Sequence, residues 1–481
     1  MKELKLSNLQ FSQKDVENFV NSSLDVKEGS VLFINNDEKD KLDKYVDESL
    51  KKKAKLVITS SKCSFNDKKV IKAKNYDEVL IESYSYLCND YKSKKYFGIT
   101  GTNGKTTTGF YLKELLGSDS LFIGTNEENL FSEITNEKHL TSPKLFNILK
   151  LLGSSDFRKY NNIILEASSH ALDQDRFNGI RFNTSGFTNL SQDHFDYHQN
   201  IKNYFSSKLK LFTEKLSDKY VYIDNQWGSK ISENSSLPSF KIGSDAFADL
   251  RILEKESYPK TILKIEIDNK IHDFELDIAG PSFYQNFLLA FSMAYYSKVK
   301  KLDQIIENSS KLKNPTGRFE LISFKTNKII VDYAHTPESI SQIIEYVNPY
   351  FSKVIVLFGA GGNRDKDKRK LMGIASQQAD RVIITNDNPR DEDPSQISDD
   401  ILNGCDLSKT SVILNRKEAI TSGINELKDN SVLLVLGKGH EMYQEINDSQ
   451  IPFNDNDFIN RTIGGFFWLQ LLYLEQFLSY S

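Results

Sequence analysis

"GITGTNGKTTT" runs from Gly98 to Thr108, and how its glycines are counted decides the fold. The common phosphate loop reads G-x-x-x-x-G-K-[ST]. Counting back from Gly104-Lys105-Thr106 puts Ile99, not glycine, at its first position. A phosphate cradle needs inward N–H groups, a cation and a hydroxyl for Mg2+. "TGTNGKTT" has all of these: Gly101 and Gly104 admit the backbone, Lys105 is the cation, and Thr106 opens the next helix. The apolar strand "KYFGIT" (Lys95–Thr100) precedes it. After it, Leu112, Leu115 and Leu116 repeat at helical spacing until Gly117. A strand–turn–helix with a surface lysine is the plainer alternative, but this context favours a nucleotide loop.

The 481 residues exceed one hydrophobic core, so two to four domains are expected. Hydrophobic and charged fractions of 39% and 27% fit a soluble globular chain. A net charge of −4 gives no reason to expect a nucleic acid or membrane partner, and a monomer is expected. Cys63, Cys88 and Cys405 are too scattered for a metal site or disulfide framework, which fits the cytoplasm. The apolar tail "TIGGFFWLQLLYLEQFLSYS" contains Gln470 and Glu475 and is short for a span. It is expected to be an amphipathic helix packed on the protein. The run "KKKAK" (residues 51–55) reads as a solvated helix face.

The order of elements predicts an α/β protein of three domains. Residues 1–93 carry "SVLFI" and "KLVIT" around a lysine-rich helix, and "YKSKK" (Tyr91–Lys95) reads as a polar hinge. Residues 94–313 alternate strands and helices, as in a parallel-sheet ATPase, with a hairpin turning at Asp268-Asn269-Lys270. "KNPTGRFE" marks a linker, and residues 314–481 form a Rossmann-like domain. Its strands in "KIIVDYAHTP", "KVIVLFGAGGNRD", "RVIITNDNPRDEDP" and "SVLLVLGKGHE" all leave through polar exits. Ligands bind beyond such strand ends.

A second chemical cluster joins "LEASSHALDQDRF" to "TNLSQDHFDYHQN". Glu166 ends an apolar strand, where an unpaired carboxylate is costly. His194 and His198 stand i, i+4 apart, as a helical zinc pair would, but no third His or Cys is suitably spaced. A hard cation on Glu166, one histidine and nucleotide phosphates fits better, with His198 as a structural residue.

Together, "TGTNGKTT", "LEASSHAL", "TNLSQDHFDYH", "GRFE", "VDYAHTPES" and "GKGHE" resemble the Mur ligase family over about residues 95–460. The family makes amide bonds in peptidoglycan precursors with ATP, and these motifs are most similar to the branch adding the third stem-peptide residue. The resemblance implies two substrates besides ATP: UDP-N-acetylmuramoyl-L-alanyl-D-glutamate and, from "DNPR", meso-diaminopimelate. It implies Mg2+ on Thr106, Glu166, His194 and a carbamylated Lys208, with Lys105, Lys208, His194 and Glu166 as the catalytic set. Thr102, Asn103 and Thr107 join the loop at ATP, with Asn286, Arg318, Asp332 and His335 completing that site and Tyr333 at the domain junction. Thr141, Ser142, Ser168, Gln174 and Arg176 are implied at the UDP-dipeptide.

For diaminopimelate the resemblance implies Arg364, Asp387, Asn388, Pro389, Arg390, Gly437 and Glu441. Arg390 would hold the distal carboxylate and Glu441 the distal ammonium, while the rest of "NRDKDKRK" reads as a solvated charge run. Two motifs depart from the family. Phe283 stands where an asparagine is usual, leaving Asn286. A D-S-R motif has become "SSLDVKEG", leaving Ser22 and Ser23 for the uridine diphosphate. A lysine-adding ligase is the nearest alternative. A nucleotide-dependent binding module is the alternative of another class, but it would give Glu166, His194, Lys208 and the arginine–glutamate pocket no joint purpose.

Overall fold

The computed structural model describes residues 6, 9–125, 141–447 and 449–464. The expected tail helix lies outside them from residue 465 onward. Among the described residues, three large sheets follow one another along the chain, with a two-stranded one after the third.

Strands β1 (Phe19–Val20), β2 (Val31–Phe33), β3 (Leu56–Ser60) and β4 (Val70–Ala73) pair in chain order, all parallel. The helix Lys39–Lys51 buries Leu42 and Val46 and turns its lysines outward, and Lys51–Lys53 are exposed as expected. The expected polar hinge is instead packed down. Tyr91 is buried, and buried Lys94 donates from Nζ to the carbonyl of Tyr160 at 2.8 Å. Composition called that stretch polar, but a lysine whose ammonium finds carbonyls can be buried without an orphan charge.

The central sheet uses β5 (Lys95–Thr100), β6 (Ser120–Ile123), β7 (Asn162–Glu166), β8 (Phe182–Phe187), β9 (Tyr220–Ile223), β10 (Ser239–Gly243), β11 (Leu250–Glu256), β12 (Thr261–Ile267) and β13 (Lys270–Leu276). Their order is β13-β12-β11-β10-β9-β8-β5-β7-β6, and only the pairs β11–β12 and β12–β13 are antiparallel. The expected hairpin is this last pair, turning at Asp268 and Asn269 with positive φ. Helix α1 (Lys105–Leu116) follows β5 and ends at Gly117, as the leucine spacing predicts. It packs on α3 (Phe283–Ser297), a nearly all-buried helix that also lies against β8 and β9, while α2 (Ile201–Leu209) packs on the short helices Ser169–Asp173 and Phe195–His198. Strand β5 sits between β7 and β8, so the chain leaves it in one direction and later crosses to the other side. The crevice at such a reversal is where an open α/β sheet binds ligands.

The third sheet comprises β14 (Glu320–Phe324), β15 (Asn327–Asp332), β16 (Lys353–Phe358), β17 (Arg381–Ile384), β18 (Thr410–Val412) and β19 (Ser431–Leu436). Its order is β14-β15-β19-β16-β17-β18, with β14 alone antiparallel. The four strands read from the sequence are β15, β16, β17 and β19. They run almost continuously apolar, as strands buried on both faces do. Helices α4 (Pro337–Val347) and α5 (Asp367–Ser376) cover this sheet near the central one. A short hairpin, β20 (Tyr443–Ile446) and β21 (Ser449–Pro452), follows β19.

The run "NRDKDKRK" is a solvated charge run only in part: beyond Arg364, Lys366, Asp367 and Lys370 are exposed, but Asp365, Lys368 and Arg369 are buried. Arg369 is fully buried, with Nη1 on Asp400 at 2.9 Å and Nη2 on Glu392 at 3.0 Å. Its carboxylate partners lie 23 and 31 residues away, so no local pattern announces them.

Candidate active site

The carboxyl ends of β5, β7 and β8 face those of β15, β16, β17 and β19 across one cleft of about 320 Å3. Register explains why its chemistry converges. Ile99 of β5 pairs with Glu166 of β7 and Gly186 of β8, so the phosphate loop, Glu166 and the residues after Phe187 leave the sheet together.

The loop after β5 is tight because two positions lack a side chain. Gly101 has φ 150°, and a Cβ there would come within 1.8 Å of Thr188 Oγ1. Gly104 has φ 84°, and its Cβ would lie 2.3 Å from Asn286 Oδ1. The Asn103 N–H donates to Asn189 Oδ1 at 2.9 Å, and Thr102 Oγ1 accepts from the Ser191 N–H at 3.0 Å. Lys105 folds back to donate to the carbonyls of Gly101 (3.0 Å) and Thr102 (2.7 Å). Burial lowers its pKa, against the pull of Glu166 and Asp193. Thr106 and Thr107 open α1, both buried.

Glu166 is 1% exposed, and Thr125 donates to its carboxylate from N (3.0 Å) and from Oγ1 (3.2 Å). Lys208, on α2, is also 1% exposed. Its Nζ donates to the Gly101 carbonyl at 2.8 Å and lies over the Tyr204 ring at 4.4 Å. Burial, then the charge of Lys105, pushes the amine well below its ordinary pKa. His194 has φ 55° and precedes the short helix Phe195–His198, so the two histidines do not share a helical face as a zinc pair would. Burial pushes the His194 imidazole down to about 3, which leaves its nitrogens uncharged. His198 is buried on Ser169 Oγ at 2.9 Å, a structural partner. Among the described residues no group of three His, Cys, Asp or Glu side chains is placed to hold a metal.

From the opposite wall, Arg318 Nη2 reaches Thr106 Oγ1 at 3.2 Å, and the guanidinium lies 4.5 Å over the Tyr333 ring. The Asp332 carboxylate accepts from the N–H groups of Phe319 and Ala334, both at 2.7 Å, although burial raises its pKa. Arg364, Asp387, Asn388, Arg390, Gly437 and Glu441 line the far end. A Cβ at Gly437 (φ 109°) would lie 2.4 Å from Asp387 Oδ2, so only glycine lets that carboxylate in. Burial, then Asp387, raises the Glu441 pKa.

Family models match residues 99–294 (Mur ligase middle domain) and 317–439 (Mur ligase, glutamate ligase domain). A Rickettsia conorii protein named UDP-N-acetylmuramoyl-L-alanyl-D-glutamate–2,6-diaminopimelate ligase is 34% identical, covering 94% of this chain and 97% of its own. The chain belongs to the Mur ligase family. A relative of the same name from Aquifex aeolicus is 32% identical, covering 95% of each chain. A solved structure carrying that name matches 93% of this chain and 95% of its own, with TM-score 0.65 and 26% identity. A Thermotoga maritima MurF ligase, solved with ADP, shares the fold at TM-score 0.61 and 15% identity, over 88% of this chain and 94% of its own.

Set against this Mur ligase cleft, the residues read from the sequence fall into two groups. Thr102 to Thr107, Thr141, Glu166, Ser168, His194, Lys208, Asn286, Arg318, Asp332, Tyr333 and His335 line it, together with the far-end residues. Others stand behind or apart. Ser142 Oγ donates to the Glu166 carbonyl at 2.6 Å, and Arg176 donates to the Ser142 carbonyl (2.7 Å) and to Gln174 Oε1 (2.7 and 3.0 Å). Pro389 lies against Gly362, and Ser22 and Ser23 lie in the first domain, between β1 and β2.

Several Mur ligase residues here escaped the sequence reading. Asp193 is buried, and burial opposes its charge. His194, with Lys368 at 3.6 Å, nevertheless holds its pKa well below the usual carboxylate range. Lys368 belongs to α5, so this ion pair crosses between the two large domains. Lys438 is fully buried and donates to Asn388 Oδ1 (3.1 Å), Glu441 Oε2 (2.7 Å) and the Tyr443 carbonyl (2.6 Å). A lysine inside "GKGHE", flanked by glycines on a strand exit, was the available signal. His170, whose ring centroid is 4.9 Å from that of His194, gave none beyond adjacency.

Proposed function

We propose that this chain joins meso-diaminopimelate to the D-glutamate side-chain carboxylate of UDP-N-acetylmuramoyl-L-alanyl-D-glutamate, using ATP, in the cytoplasm. The observation carrying this reading is the single cleft with a phosphate loop on one wall and a paired arginine–glutamate pocket on the other. The near-full-length relatives that bear this activity in their names support it. The division at residues 1–93, 94–313 and 314–481 into UDP-, ATP- and amino-acid-binding domains belongs to the same proposal.

In the first step an oxygen of the glutamate carboxylate attacks the γ-phosphorus of ATP, the bond to ADP breaks, and an acyl phosphate forms. Two anions must meet for this, so positive charge has to be concentrated at the loop. Lys105, already inside the cradle, supplies one charge, and Arg318 approaches from the other domain. In the second step the amine of diaminopimelate, having given up its proton, attacks the acyl carbon. The tetrahedral intermediate then collapses with loss of phosphate.

The donor set fits Mg2+: the Thr106 hydroxyl, the Glu166 carboxylate, the uncharged His194 imidazole and a carbamate on Lys208 would hold it. Such a site offers hard donors and few protein ligands. When bound, the ion spreads the charge of the transferring phosphoryl group. Lys208 suits carbamylation because only an unprotonated amine attacks CO2. The N–C bond forms as the proton leaves, and burial favours the uncharged amine.

Thr141, Ser142, Ser168, Gln174 and Arg176 are assigned to the sugar–peptide end, and Ser22 and Ser23 to the uridine diphosphate. Asn286, held against Gly104, takes the adenine side in place of the missing asparagine at 283. Phosphate release measured with the UDP-muramoyl dipeptide, with and without diaminopimelate, tests the reading. Release should require both, and ATP hydrolysis indifferent to both would overturn it.

A further inference from the structure

The amino-acid end of the cleft carries more charge pairing than its ligand requires. Arg390 Nε donates to Glu445 Oε2 at 2.8 Å, in a pair about three-quarters buried. Glu445 belongs to β20, outside every motif read from the sequence. Its backbone is fixed there from both sides: the Arg390 N–H donates to the Glu445 carbonyl at 3.0 Å, and the Glu445 N–H donates to Asn388 Oδ1 at 3.0 Å. Arg390 Nη1 separately donates to the Gly362 carbonyl at 2.7 Å, so the guanidinium has an anchor independent of Glu445. Glu441 is likewise already paired, with Lys438.

These pairs change what the pocket discriminates. A bare arginine attracts a distal carboxylate and repels a distal ammonium that lacks one. An arginine with a fixed carboxylate at 2.8 Å does both more weakly, because an incoming charge meets a dipole rather than a lone cation. An arginine has five N–H donors, so the Glu445 and Gly362 bonds still leave it donors for a ligand.

The geometry points to Glu445 as a specificity-determining residue. By partly cancelling Arg390 it widens the pocket's range from diaminopimelate to diamino acids without the distal carboxylate, such as lysine. This inference rests on the ligase reading above.

The test is the ratio of kcat/KM for meso-diaminopimelate to that for L-lysine, measured by phosphate release on the full chain. Glu445→Gln keeps an oxygen for Arg390 Nε but removes the charge. It should raise the ratio about tenfold, mostly through a higher KM for lysine and a lower KM for diaminopimelate, with the KM for ATP unchanged. Glu445→Ala, also uncharged, must move the ratio the same way, and it carries the test if the glutamine variant does not fold. A ratio unchanged or lowered in the soluble variants overturns the role of Glu445. Wild-type phosphate release that ignores both amino acids overturns the ligase reading and this inference with it.

Discussion

Two side chains concentrate the chemistry that a single substitution can reach. Arg390 is held by Glu445 and the Gly362 carbonyl with its remaining donors at the cleft. Arg390→Ala removes charge-assisted hydrogen bonds worth on the order of 1.5–3 kcal/mol. The KM for diaminopimelate should therefore rise roughly ten- to a hundredfold while the KM for ATP stays put. Steady-state kinetics with each substrate varied decides this, and an unchanged KM for diaminopimelate would show that the distal carboxylate binds elsewhere. Lys208 makes a different kind of prediction, because its reactivity depends on being uncharged. Burial depresses its pKa, which favours the uncharged amine that CO2 uptake needs. Stripping bicarbonate from the wild type should lower turnover, and restoring it should recover turnover. Lys208→Ala should be slow in both conditions, and full activity in that variant would remove Lys208 from catalysis.

At the scale of elements, the loop between β5 and α1 is set by backbone geometry. Gly104→Ala places a Cβ 2.3 Å from Asn286 Oδ1 in a left-handed conformation that costs a non-glycine residue ~1–2 kcal/mol. It should raise the KM for ATP and lower the melting temperature, because the Asn286 side chain must be displaced from the loop. Nucleotide binding followed by calorimetry and a thermal melt checks both effects. This element was legible in the sequence because everything that shapes it is local: an apolar strand, two glycines, a lysine, and leucines at helical spacing. The polar exits of β15, β16, β17 and β19 were legible for the same reason. What failed depended on partners far along the chain. Lys94 looked solvated until the Tyr160 carbonyl was beside it, and Arg369 looked solvated until Glu392 and Asp400 closed on it. Glu445 stayed invisible because its partner Arg390 lies 55 residues away, and such a pair has no periodicity. Its two members need only meet in space.

Across the whole molecule, the central and third sheets share one apolar cluster, and a charged pair crosses between them. Asp193 leaves the central sheet to face Lys368 of α5, and His335 lies beside them at the exit of β15. His335 is therefore a pH gauge for this junction. Burial depresses its pKa from 6.5 to about 4, and its ring nitrogen Nδ1 is 2.8 Å from the Tyr333 carbonyl, which accepts its hydrogen. The sign of the effect follows from which state binds the proton first. Between pH 6.5 and 4 the unfolded chain protonates this histidine while the folded chain does not, so folding stability is fully present above 6.5 and falls as the pH falls. The loss across that window is at most about 3 kcal/mol. Asp332, raised by burial, works in the opposite sense, so the wild-type curve alone does not isolate the histidine. Comparing urea midpoints from pH 7 to 4.5 for the wild type and His335→Asn does so. The asparagine variant starts less stable, having lost the imidazole packing, but its midpoint should decline less steeply over that interval. Equal slopes for the two proteins would mean that His335 titrates normally and that the junction is open to water.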